Sequence, residues 1–143
     1  MVNDFRFSHR LKVRYSEIDG QKIVFNAHYM TYIDVAVTEY FHEGLKLDFE
    51  EADFDFVLAK STLEFKKSAE LNDWLNIWCK ISKVGNTSMT MNCMITRDGE
   101  TDPILLAEII YVSYDANTKT TRPVPALVRN RIEEFENGLL TPE

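Results

Sequence analysis

One apolar helix followed by four strands is the feature that most limits how this chain can fold. In residues 27–43, apolar side chains recur at helical spacing and the polar side is thin. Strand-like segments joined by short turns follow at residues 54–67, 74–84, 87–97 and 104–114. Before the helix, residues 7–15 alternate apolar and polar side chains, which is typical of a half-buried strand. Residues 125–138 predict a short amphipathic helix after the last strand.

A single helix cannot cover both faces of a five-stranded sheet. We therefore predict an α+β fold, in which a curved five-stranded antiparallel sheet wraps around one long central helix and a short C-terminal helix follows. Residues 1–143 are expected to form one domain. The sheet surface that stays uncovered predicts association, to a homodimer or further to a homotetramer.

The sequence also suggests where the central helix begins and ends. Asn26 is a residue type that caps helix N-termini with its side chain. Phe25 and Met30 stand at the two positions of a hydrophobic staple. Gly44 suits the first residue beyond the C-terminus, where left-handed backbone is common.

Charge and composition exclude several classes of function. The formal net charge is −7, and nucleic-acid binding needs a basic field instead. No apolar N-terminal signal segment and no run long enough to span a bilayer is present. Cys79 and Cys93 lie in strand-like segments and are interpreted as buried thiols of a reducing compartment rather than as a disulfide. We expect a cytoplasmic protein that binds neither nucleic acid nor membrane.

Familiar catalytic motifs are absent from the sequence. It contains no G-x-S-x-G nucleophile elbow, no P-loop and no dinucleotide-binding glycine motif. It also has no cluster of cysteine and histidine with zinc spacing, so no metal site is expected. His9, His28 and His42 are scattered, and each alone favours a structural or solvent-facing role.

One loop places an acidic residue where it could take part in chemistry. Asp19 lies in residues 17–24, directly before the apolar helix. Free backbone N–H groups and the helix dipole favour negative charge at a helix N-terminus. A carboxylate beside such donors can carry out acyl transfer. Acidic residues before helices are also common in structural roles, so spacing alone leaves open whether Asp19 is catalytic or only orders the loop.

Residues 15–29, YSEIDGQKIVFNAHY, resemble the signature of the 4-hydroxybenzoyl-CoA thioesterase family. That signature runs roughly Y-x-D/E-x-D-x-x-G-x-V-x-N/H-x-x-Y and precedes an aromatic-rich helix. The predicted order of elements is also that of the family's hotdog fold, so the resemblance covers nearly the whole chain. It implies a thioester hydrolase acting on acyl-CoA, with coenzyme A as part of the substrate and no cofactor besides.

The resemblance implies catalytic roles for two residues. Asp19 aligns with the family's catalytic aspartate, as nucleophile or general base. Asn26 aligns with the position that opens the central helix, where its backbone N–H would polarise the thioester carbonyl. Lys22 stands where the family usually has glycine. It either reshapes the loop or changes the charge and width of the site's mouth.

Four residues are candidates for substrate binding. Tyr29 closes the motif in the first part of the helix. Lys60, Lys66 and Arg97 are basic residues on predicted strands. The phosphates of coenzyme A need basic partners even on an acidic chain, although the same lysines and arginine also suit an ordinary solvated surface.

Two other functions fit the same fold. Enoyl-thioester hydratases that resemble it use an aspartate followed by a histidine, but the residue five positions after Asp19 is Val24. A non-catalytic protein that binds acyl thioesters or small hydrophobic ligands would not need Asp19. Hydrolysis of a small or medium acyl-CoA is the leading hypothesis, with aliphatic and aryl acyl groups both open.

Overall fold

The structure is a computed structural model that describes residues 2–48 and 54–137. One long helix packs against one face of a curved antiparallel sheet, as predicted. The helix α1 spans His28–Glu39 and continues into a wider π-helical turn, Tyr40–Gly44. The remaining elements are β1 Phe7–Lys12, β2 Phe56–Phe65, β3 Trp74–Val84, β4 Ser88–Arg97, β5 Pro103–Asp115, β6 Thr120–Thr121 and α2 Ala126–Glu136.

The strand order in the sheet is β1-β3-β4-β5-β2. All neighbouring strands pair antiparallel. This order places the apolar strand β5 in the interior, in agreement with the sequence, and leaves β1 and β2 as the two edges. The short strand β6, which the sequence did not predict, pairs only with the last two residues of β5.

The core lies between α1 and the sheet. Alternate residues of β3 point inward as predicted, because period-two apolar residues share one face of a strand. Cys79 and Cys93 are free, buried thiols on directly opposed positions of β3 and β4. The helix is buried on one face only. Its inward residues are Tyr29, Tyr32, Ile33, Ala36 and Val37.

Both predicted helix ends differ from the structure. Ala27, not Asn26, is the N-cap residue, and no side chain caps the helix. The chain enters α1 through a tight turn in which the main-chain oxygen of Asn26 accepts the Tyr29 N–H. At the other end, the Leu45 N–H bonds to the Tyr40 oxygen at 2.9 Å. Because of this wider turn, the residue with left-handed backbone is Lys46, with φ 59°. The prediction that Gly44 would have this conformation was wrong.

The first and last predicted elements also needed correction. β1 ends at Lys12, and the residues after it turn sharply, so Tyr15 is 80% exposed instead of continuing a half-buried strand. The predicted end of the C-terminal helix at Gly138 lies outside the described residues.

A buried carboxylate attaches α2 to the core. Glu136 has no exposed surface, and its Oε2 accepts hydrogen bonds from the Tyr40 hydroxyl and, at 3.1 Å, from the Ile81 N–H. Burial raises the pKa of Glu136 above its ordinary value. The Ile81 N–H lies beside an irregularity in the β3–β4 register, so the carboxylate satisfies a donor next to a break in the regular ladder.

We expect Glu136→Ala to lower the free energy of unfolding by about 2–3 kcal/mol, because it leaves two buried donors without an acceptor. Urea denaturation measures the change. The control is Glu133→Ala on the exposed side of the same helix, which should stay within about 0.5 kcal/mol of the wild type. Equal losses in the two variants would contradict this role for Glu136.

Candidate active site

The loop between β1 and α1 folds back on itself and presents Asp19. Ile18 and Val24 form an antiparallel bridge, and the Asp19 N–H donates to the Ile23 oxygen at 2.9 Å. The Lys22 N–H donates to the Asp19 oxygen at 3.0 Å. These main-chain bonds hold Asp19 at one defined place on the surface.

The Asp19 carboxylate is held by one oxygen only. Its Oδ1 accepts the Gln21 N–H at 2.8 Å, as aspartates do in tight turns. Within the described residues, no hydrogen bond or ion pair to Oδ2 is found. The carboxylate is therefore oriented by one oxygen and free to react through the other. It borders a surface cleft lined by Tyr15, Ile18, Asp19, Gly20, Lys22 and Leu71.

Backbone donors are available where α1 begins. In the part of the chain that the structure describes, the N–H groups of Asn26 and Ala27 donate to no backbone or side-chain acceptor. They lie at a helix N-terminus, where the dipole favours negative charge. Asn26 is exposed and is not among the residues that line the cleft of this single chain.

The buried carboxylate of Glu17, for which the sequence predicted no role, connects the loop to the helix. Glu17 is 4% exposed, and its Oε1 accepts both the Tyr32 hydroxyl and the Arg14 N–H at 2.8 Å. Its Oε2 forms an ion pair with the Arg14 guanidinium at 2.6 Å. Its main-chain oxygen accepts the Phe25 N–H at 3.0 Å. Glu17 thus joins the segment that leads to Asp19 with the segment that leads to Asn26.

Signals for this cluster were present in the sequence. Arg14 and Glu17 are three residues apart, and Glu17 occupies the D/E position of the motif. The hydrogen bond between Tyr32 and Glu17 could not be predicted from the sequence, because it depends on how the loop packs against the helix.

The four predicted substrate-binding residues do not line the cleft. Tyr29 is in the core, where its hydroxyl accepts the Ala69 N–H at 3.0 Å and burial raises its pKa. Arg97 forms an ion pair with Asp73 at 3.0 Å. Lys66 pairs with Glu64 on the same strand region at 2.9 Å.

Lys60, the fourth of these, is exposed on the edge strand β2, opposite Ile110 of β5. The cation that does line the cleft is Lys22. Its φ of 66° lies in the left-handed region that glycine adopts freely. Lys22 thus adopts a backbone conformation typical of glycine, at a cost of about 1–2 kcal/mol for a residue with a Cβ.

Sequence comparison identifies the class of protein. The sequence profile of the thioesterase superfamily matches residues 21–104, which is more than half of the chain. The chain therefore belongs to the thioesterase superfamily, and it is a thioester hydrolase. The matched span covers α1 and most of the sheet but begins after Asp19, so it does not test that residue. Among curated proteins, none matches the chain in sequence.

Solved structures confirm the hotdog fold. A thioesterase from Thermus thermophilus, complexed with coenzyme A and zinc, has a TM-score of 0.82 at 24% identity, covering 98% of each chain. A 1,4-dihydroxy-2-naphthoyl-CoA thioesterase from Synechocystis has a TM-score of 0.79 at 15% identity, covering 88% of this chain and 94% of that one. Protein SAV2348 from Staphylococcus aureus, in complex with CoA, has a TM-score of 0.83 at 16% identity, covering 96% and 87%.

The described residues hold neither a cluster of metal ligands nor a membrane-spanning helix. Across residues 2–48 and 54–137, no three His, Cys, Asp or Glu side chains are grouped so as to hold a metal ion. In the same ranges, no helix is long and apolar enough to cross a membrane.

We expect the contribution of Glu17 to stability to depend on pH. Burial alone raises its pKa, but the hydrogen bonds from Arg14 and Tyr32 outweigh burial and leave the pKa below its ordinary value. A carboxyl group of this kind stabilises the fold above its unfolded pKa, about 4.3, and that stability is lost as the pH falls through the folded pKa. Glu17→Gln should therefore melt below the wild type at neutral pH, by an amount that shrinks below about pH 4.

Thermal melts between acid and neutral pH test this expectation. Glu43→Gln is a suitable control, because Glu43 is exposed after α1 and should not change the melting temperature. A wild-type advantage over Glu17→Gln that stays constant with pH would show that the charge of Glu17 is not what stabilises the loop.

Proposed function

We propose that the protein hydrolyses the thioester of a small or medium acyl-CoA with Asp19 as nucleophile or general base. The observation that carries the proposal is the Asp19 carboxylate on the wall of a cleft, with Oδ1 bonded to the Gln21 N–H and Oδ2 without a partner among the described residues. Membership of the thioesterase superfamily gives this carboxylate a reaction to perform. Coenzyme A bound to the structural neighbours supports acyl-CoA as the substrate.

Two routes are open to the free carboxylate oxygen. As a nucleophile, Oδ2 attacks the thioester carbon, the C–S bond breaks, coenzyme A leaves as the thiolate, and water hydrolyses the mixed anhydride. As a general base, Oδ2 takes a proton from water, whose oxygen attacks the same carbon, and the proton passes to the departing thiolate. An acyl adduct on the Asp19 peptide, detected by mass spectrometry after rapid quenching, would select the first route.

Both routes place negative charge on the former carbonyl oxygen. The unpaired N–H of Asn26, at the start of α1, is the donor we assign to this oxyanion. Glu17 supports the arrangement because its main-chain and side-chain bonds hold the two segments together. Asn26 is not among the described residues that line the Asp19 cleft, which favours a site completed by a second copy.

We propose that the second copy binds at the β2 edge. β2 pairs only with β5, and its other edge has no strand partner within the described chain. Val57 and Leu58 are 41% and 51% exposed on this strand. An unpaired edge with exposed apolar residues is a template for pairing with another chain. The two sheets of a homodimer would then be continuous, and two dimers could associate further as a homotetramer.

We expect Asp19→Asn to lower kcat at least about a hundredfold with KM little changed, because loss of a general base costs about 10²–10⁴ in rate. Steady-state release of free thiol from a panel of acyl-CoAs measures the effect. Asp102→Asn is the matched control, since Asp102 lies outside the cleft in an exposed pair with Lys67. A folded Asp19→Asn protein with wild-type kcat would refute the assignment and favour a non-catalytic acyl-thioester binder.

Light scattering should give the wild type a mass at least twice that of the chain at micromolar concentration. Leu58→Lys should shift this mass toward the monomer, because it places a charge in the proposed interface. Leu127→Lys, at a comparably exposed position of α2, should leave the mass unchanged. A monomeric wild type would contradict the proposed dimer.

A further inference from the structure

We infer that Lys22 binds an anionic group of the thioester substrate and so determines which substrates the enzyme prefers. The inference rests on the function proposed for Asp19. The shared chemistry is a negatively charged oxygen group, supplied either by a carboxylate on the acyl group or by the phosphates of coenzyme A. Three observations lead to it.

The first observation is position. Lys22 lines the same cleft as Asp19, and the two residues belong to one tight loop. The Lys22 N–H donates to the Asp19 oxygen at 3.0 Å, and the Asp19 N–H donates to the oxygen of the next residue, Ile23, at 2.9 Å. The side chain that carries the ammonium group therefore begins on the wall of the cleft, in the same tight loop as the proposed reactive carboxylate of Asp19.

The second observation is that Lys22 keeps its charge available. The Lys22 ammonium has no ion pair or hydrogen bond with the described residues. Several other cations are already neutralised by carboxylates, so they offer less to an anionic ligand. Those with carboxylate partners are Arg10, Arg14, Lys66, Lys67 and Arg97.

The third observation is the backbone. Lys22 has a φ of 66°, a left-handed conformation that disfavours side chains other than glycine, asparagine and aspartate. Glycine would allow the same loop conformation at a lower cost in free energy, so the folding of the loop does not require lysine there. Among the described lysines with this backbone, which include Lys46 and Lys119, Lys22 is the one that lines the Asp19 cleft, and this combination points to a role for its side chain in binding.

A matched control is available elsewhere in the chain. Lys119 is an exposed lysine with a φ of 57°, and its N–H donates to the Asp115 oxygen at 2.8 Å in the turn between β5 and β6. It has the same residue type and the same backbone conformation as Lys22, but it does not line the Asp19 cleft. Lys119→Met thus repeats the loss of one charge on a left-handed residue without touching the site.

The experiment compares KM for butyryl-CoA, succinyl-CoA and butyryl-pantetheine in the wild type, Lys22→Met, Lys22→Arg and Lys119→Met. If the anion is on the acyl group, Lys22→Met should raise KM about fivefold for succinyl-CoA alone, as expected for loss of a partly exposed ion pair. If the anion is on the nucleotide, KM should rise for both coenzyme A esters and stay unchanged for butyryl-pantetheine. In either case kcat should change little, because such a contact binds ground and transition states alike.

Further outcomes separate this inference from the proposed function. Lys22→Arg should restore most of the affinity, and added salt should reduce the difference between the wild type and Lys22→Met. Unchanged KM values for Lys22→Met with all three substrates, or an equal effect of Lys119→Met, would overturn the inference. If the wild type hydrolyses none of the three and no other member of an aliphatic and aryl acyl-CoA panel, the proposed function fails instead. Calorimetric titration with succinyl-CoA then tests Lys22 alone, and equal affinities of the wild type and Lys22→Met would overturn its role.

Discussion

The packing of a single helix against a five-stranded sheet is the constraint on which the rest of this structure depends. Because α1 supplies most of the opposing layer, with Val128 and Ile132 of α2 beside it, the inward residues of the sheet must converge on it, and the sheet curves. The segment before α1 is then held against the connection between β2 and β3, since the Val24 N–H donates to the Ala69 oxygen at 2.9 Å and Ile23 forms a bridge with Glu70. The position of the Asp19 loop follows from this packing.

Buried carboxylates stabilise both ends of the same helix. Glu17 accepts the Tyr32 hydroxyl near the start of α1, and Glu136 accepts the Tyr40 hydroxyl where its last turn widens. The pKa values of the two carboxyl groups move in opposite directions. Hydrogen bonds from Arg14 and Tyr32 lower the pKa of Glu17 in spite of its burial, whereas burial dominates at Glu136 and raises its pKa. A nearby guanidinium accounts for the difference.

The two edges of the sheet differ in a way that bears on association. The edge strand β1 exposes Ser8, Arg10 and Lys12, and charged side chains discourage further strand pairing. The edge strand β2 also exposes charged residues, Lys60 and Glu64, but beside them it exposes the large apolar side chains Val57, Leu58 and Phe65. Burial of large apolar side chains favours addition of a second chain at β2, since β1 exposes no large apolar residue. That asymmetry supports the proposed dimer through β2.

The sequence by itself determined the order of elements, the inward faces of the strands and the loop that carries Asp19. These follow from local periodicity and from a motif contained in 15–29, so neighbouring residues are enough to read them. The tertiary structure decided which polar groups meet. Tyr40 and Glu136 are 96 residues apart, and Arg97 and Asp73 are 24 apart, so no local pattern announces either pair. It also decided the ends of α1, because the π-helical turn and the tight turn at Asn26 adjust the helix to the sheet against which it packs. Burial and pairing depend on distances through space. Those distances cannot be read from the order of residues along the chain, because they are established only when the chain folds.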